Sequence, residues 1–101
     1  MDRQHIEMIV RGFNDWDSTG PPDASDRTAA HQAVSEAIWA TGKLPDGKWR
    51  LSLLRLIYEQ GKPIKDAMDF VHIAKSTAYR WRDEFLEMVD TLWKQSETGE
   101  G

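Results

Sequence analysis

From Gly61 to Arg82 the chain reads Gly-Lys-Pro-Ile-Lys-Asp-Ala-Met-Asp-Phe-Val-His-Ile-Ala-Lys-Ser-Thr-Ala-Tyr-Arg-Trp-Arg. Ile64, Ala67 and Val71 recur at spacings of three and four, which places them on one face of a short helix. Ala78 and Trp81 share a face of a second helix, which begins near Ala74–Ser76. The gap between the two has room for a tight turn and nothing else. Two helices joined so closely must cross and pack on each other, with Ile73 plugging the turn. Pro63 suits the first position of the earlier helix, where its missing N–H would have had no partner anyway. This is the pattern of a helix-turn-helix, spanning about residues 62–82, with a supporting helix first and a recognition helix second.

That geometry turns Lys75, Ser76, Thr77, Tyr79 and Arg80 outward, and these residue types touch phosphates and base edges in a DNA groove. Arg80 suits bidentate pairing with guanine, and Ser76 and Thr77 suit base edges or phosphate. Lys75 and the helix N-terminus favour phosphate oxygens. Lys62 and Lys65 start the supporting helix, where a first helix crosses the DNA backbone. Arg82 and Arg55 add positive field. The candidate DNA-binding set is Lys62, Lys65, Lys75, Ser76, Thr77, Tyr79, Arg80 and Arg82.

Charge is distributed in the same sense. Residues 1–42 hold three Lys/Arg and seven Asp/Glu, residues 43–82 nine and four, and residues 83–101 one and six. The overall charge of −4 thus hides a basic middle between two acidic ends, and the basic block coincides with the helix-turn-helix.

Elsewhere the pattern is helical throughout. Ile6, Ile9, Val10, Phe13 and Trp16 mark a first helix in residues 2–16, which Gly12 weakens. Ala30, Val34, Ala37 and Ile38 mark a second at about 26–41, closed by Gly42. A third runs from about 48 to 60 with Trp49, Leu51, Leu53, Leu54, Leu56, Ile57 and Tyr58. It is apolar over most of its circumference, which predicts the most buried helix. Asp46 is its expected N-cap, and Gly61 ends it. Ala78, Trp81, Phe85, Met88, Val89 and Leu92 carry the last helix to about residue 95. The five Trp residues are mostly core by this spacing. The expectation is a small all-α bundle of about five helices in a single domain, 1–95, with a disordered tail at 96–101.

The run Ile73 to Trp81 resembles one common in homeodomain-like helix-turn-helix proteins, among them transposase N-termini, sigma-factor-like regulators and phage regulators. With the preceding Leu53–Pro63 stretch and the final helix through Leu92-Trp93, residues 50–93 are similar to small phage regulators of the ArpU and antitermination protein Q types. The resemblance implies a sequence-specific DNA-binding protein and a transcription regulator of phage or prophage type. It departs from this chain at two places. Met68 stands where a small Ala is usual, and His72 stands where Gly is usual because Gly adopts positive φ without strain. Either the turn is distorted or the register shifts by one residue, with Ala67 as the small residue and a longer turn.

Two rival functions keep the same motif: a DNA-packaging or recombination adaptor, and a protein-interaction module in which the motif is only a scaffold. The expected partners are double-stranded DNA, a second copy through the C-terminal helix, and RNA polymerase. Without Cys there are no disulfides and no thiolate chemistry. The first seven residues lack the apolar stretch of a signal peptide, and no segment reaches membrane-spanning length. The expected location is the cytoplasm. Asp15–Asp26 partly matches a calcium loop, against which stand Pro22 at position eight and Asp26 in place of Glu at twelve. The bland reading is an acidic connection. His5, His31 and His72 are isolated, so neither metal nor cofactor is expected. No Ser-His-Asp set or Gly-rich phosphate loop appears, and the chain reads as a non-enzyme.

Overall fold

A computed structural model describes residues 3–13, 16 and 29–98, and among them there are helices and turns but no strand. Helix α1 is Arg3–Gly12, α2 Ala29–Gly42, α3 Gly47–Leu54, α4 Ile64–Val71 and α5 Lys75–Thr98. The protein is all-α, as its periodicity predicts. Helix α5 continues three residues beyond the expected end. The Asp15–Asp26 loop lies, apart from Trp16, outside the described residues.

Much of the core forms where three apolar stripes meet. Helix α1 contributes Ile6 and Val10, followed by Phe13 and Trp16. Helix α2 contributes Ala33, Val34 and Ala37, and α5 contributes Phe85, Leu86 and Val89. The rings of Phe13 and Trp16 meet edge to face at 5.8 Å, and Trp16 lies 6.1 Å from Phe85, a favoured aromatic geometry that joins α1 to α5. Helix α2 makes its most extensive contact with α5. Leu92 and Trp93, near the end of α5, pack partly buried against the same core.

Helix α3 does not end where its α-helical hydrogen bonding ends. Arg55–Glu59 forms one π-helical turn, closed by the Gln60 N–H donating to the Arg55 carbonyl at 3.0 Å. Over that turn Leu56, Ile57 and Tyr58 are all buried, as are Leu53 and Leu54 before it. Single π turns inside a helix are uncommon, and apolar periodicity alone does not announce one. Gly61 then takes φ +72°, and the Lys62 N–H reaches back to the Leu56 carbonyl at 2.9 Å.

Three local expectations need correction. Asp46 stands at the N-cap of α3, but its side chain makes no cap hydrogen bond. Its backbone carbonyl accepts from the Trp49 and Arg50 N–H groups, while its carboxylate holds the Arg50 side chain. Pro63 is the N-cap residue of α4, one place before the first helical position. Trp49, placed in the buried stripe of α3, is 53% exposed, and Trp39 also reaches the surface. Both sit beside lysines whose ammonium groups cover the rings, Lys43 at 3.4 Å from Trp39 and Lys48 at 5.6 Å from Trp49. Cation–π contact gives an aromatic ring a place outside the core.

The joint between α2 and α3 is very tight. A Cβ on Gly47 would stand 2.2 Å from the Thr41 carbonyl oxygen, a distance no side chain can relieve because the obstacle is backbone. Gly47 is therefore required for close approach and not for φ.

Candidate nucleic-acid interface

The turn between α4 and α5 takes the predicted register, with no one-residue shift. His72 is left-handed at φ 66°, ψ 50°. Its N–H donates to the Met68 carbonyl at 2.9 Å, and the Ile73 N–H donates to the same oxygen at 3.2 Å. The C-terminal carbonyls of α4 are thus satisfied as a glycine cap would satisfy them, with a histidine bearing the conformational cost. Met68 is half-buried, its flexible side chain packed against the core where a smaller residue was expected. Ala67, Val71, Ala78 and Trp81 are buried as the inner faces of the two helices, and Ile73 is half-buried between them.

What remains outward is a short stripe at the start of α5. Lys75 and Ser76 are exposed, and the Arg80 side chain is 62% exposed. Ser76, Arg80 and Glu84 follow at intervals of four along one face. Thr77, expected outward, is half-buried beside the stripe. Tyr79, also expected outward, is half-buried about 100° around the helix from Arg80. Its ring lies between the Lys75 ammonium at 6.0 Å and the Arg82 guanidinium at 4.9 Å. Arg82 turns to the Asp83 carboxylate at 3.3 Å. The structure therefore brings Lys75, Ser76, Thr77 and Arg80 together and sets Tyr79 and Arg82 on the adjacent flank. Arg55 is paired with Glu59 at 2.8 Å, so its contribution to a positive field is largely cancelled. Lys62 and Lys65 are exposed at the start of α4, and with Lys75 they form no ion pair among the described residues.

A second set of residues at this face was not read from the sequence as functional. The Arg50 side chain, only 17% exposed, crosses from α3 to the recognition helix. Its Nε donates to Asp46 Oδ1 at 2.9 Å and its Nη1 to Glu84 Oε1 at 2.6 Å, with the guanidinium 5.4 Å from the Trp81 ring centre. Burial by itself would lower the Arg50 pKa, but its hydrogen bonds to the Glu84 and Asp46 carboxylates, with their charges, outweigh it and hold the group above its ordinary value. Glu84 also faces Arg80, with Nε and Oε2 4.0 Å apart. The spacing of Asp46 and Arg50, or of Arg80 and Glu84, shows in the sequence as an i,i+4 pair. The link from Arg50 to Glu84 spans 34 positions and has no local signature.

A further ionic junction among the described residues joins α1 to α5. Arg3 of α1 pairs with Asp83, and Arg11 lies over the Tyr58 ring at 5.3 Å. Tyr58 is buried and its hydroxyl has no hydrogen-bond partner among the described residues. Burial, aided by the Glu7 carboxylate, pushes its pKa up to about 12. Among the described residues no group of three His, Cys, Asp or Glu could hold a metal ion, and no helix is long and apolar enough to cross a membrane.

Residues 45–88 match the family model of a homeodomain-like domain. The matched segment begins in the turn before α3 and ends within α5, so it covers the crossed helices and less than half of the chain. Neither curated proteins nor solved structures give a significant match. Match and geometry agree on a helix-turn-helix of homeodomain-like kind, a DNA-binding fold.

Proposed function

We propose that the chain is a sequence-specific binder of double-stranded DNA and a transcription regulator of phage or prophage type, acting in the cytoplasm. One observation carries this reading. The first turns of α5 project exposed Lys75, Ser76 and Arg80 from a helix-turn-helix whose supporting helix has exposed Lys62 and Lys65 at its start. In that arrangement the start of α5 enters the major groove, and the amino end of α4 meets the backbone. Arg80 reads a guanine, Ser76 and Thr77 take base edges or phosphate, and Lys62, Lys65 and Lys75 fix the register through phosphates. A second copy bound through the C-terminal helix would give a homodimer reading two half-sites about 34–36 Å apart.

The test is selection from a pool of random duplex DNA across a salt series. A recovered motif, bound with a log–log salt slope of about −3 for three neutralised phosphates, is the expected result. No retention of any duplex at low salt would overturn the reading and leave the crossed helices as a scaffold for a protein partner.

A further inference from the structure

Glu84 stands on the outward stripe of α5 one helical turn beyond Arg80, but its carboxylate is not a free solvated charge. Arg50 reaches over from α3 and holds Oε1 at 2.6 Å, while Asp46 fixes Arg50 from the other side at 2.9 Å. A carboxylate offers about four acceptor sites, and Arg50 occupies one oxygen. Oε2 remains open, 4.0 Å from Arg80, on a side chain that is 47% exposed. The nine residues from Ser76 to Glu84 span about 12 Å along the helix, or three to four base-pair steps. Ser76, Arg80 and Glu84, about 6 Å from one to the next, can therefore face bases about two steps apart along one groove.

Resting on the DNA-binding reading above, we propose that Glu84 is a second base-reading residue, whose Oε2 accepts the exocyclic amino group of a cytosine about two steps along the groove from the guanine met by Arg80. Cytosine N4 is the base donor that a glutamate suits in the major groove. The tether matters because a flexible glutamate near DNA swings away from phosphate, whereas this one is held in place by an arginine from another helix. The same fixed charge repels backbone phosphates, so it penalises binding in a wrong register.

The experiment is selection from random duplex DNA with the full chain, with Glu84→Ala and with Glu84→Gln. Glu84→Gln keeps an oxygen for Arg50 and so guards against loss of fold. Circular dichroism of each variant confirms the helices first. Wild type is expected to select cytosine at one position about two steps from the Arg80 guanine. Glu84→Ala is expected to lose that preference by roughly five- to tenfold and keep the rest of the motif, and Glu84→Gln to shift the position toward adenine. An identical motif from all three proteins would overturn the assignment and leave Glu84 a purely structural partner of Arg50, with DNA binding intact. Failure of wild type to retain any duplex would instead sink the DNA-binding reading, and this assignment with it.

Discussion

Helix α5 has two halves with opposite duties. From Lys75 to Arg82 its outer face is cationic and polar, and it is held from beneath by Ala78 and Trp81. From Asp83 to Lys94 its outer face carries Asp83, Glu84, Glu87 and Asp90, and its inner face places Phe85, Leu86 and Val89 at 2% exposure or less. The first half is anchored lightly and offers contacts, whereas the second is anchored deeply and repels polyanions. On the proposed reading, one rod presents an end to DNA while its other end is bound into the bundle. The boundary falls at Asp83 and Glu84, the two acids tied to α1 and α3 through Arg3 and Arg50.

Mutations should separate these duties. Phe85→Ala removes the largest fully buried side chain of the anchored half and is expected to cost about 3–5 kcal/mol in urea unfolding. A loss below 1 kcal/mol would mean that the core lies elsewhere. The next effect tests whether α1 belongs to the anchored region, through Tyr58 beneath Arg11. Its folded pKa of about 12 exceeds the ordinary 10, so the folded state holds the proton more tightly than the unfolded chain. Stability is then complete below pH 10 and falls by about 2–3 kcal/mol as pH rises to 12. Tyr58→Phe should flatten that part of the curve in chemical denaturation at a series of pH values.

Arg80→Ala should leave the melting temperature unchanged and weaken binding to the selected site by about 1–3 kcal/mol, with relaxed preference at one position. Equal weakening on every sequence would reduce Arg80 to a phosphate contact. The smallest expected change lies at the hinge between α4 and α5. His72→Gly relieves the left-handed strain and should stabilise the fold by about 0.5–1 kcal/mol, read as a raised denaturation midpoint. A drop would show that the imidazole contributes more than its backbone costs.

The crossed helices were legible because both of their signals are local. Ile64, Ala67 and Val71 repeat at helical spacing, and the turn is too short for a second solution. His72 announced itself as an oddity, and it bears the left-handed angle that glycine would have borne. The π turn at Arg55–Glu59 was hidden because Leu56, Ile57 and Tyr58 look like the run of any buried helix. Trp49 was misplaced because apolar spacing records the face of a residue and not whether another helix covers that face. Glu84 gave no local sign of its tether for a related reason, since Arg50, the residue that fixes it, is remote in sequence and carries a charge that suits water equally well.

Gly47 has a mechanical consequence. A joint without room for a methyl group also leaves little room to bend, since bending would press the backbones of α2 and α3 into each other. The family match begins two residues before that joint, so α2 meets the matched segment through a stiff coupling and not a tether. A torque on α2 would pass through Gly47 to Arg50, three residues along α3, and from Arg50 to the carboxylate on α5.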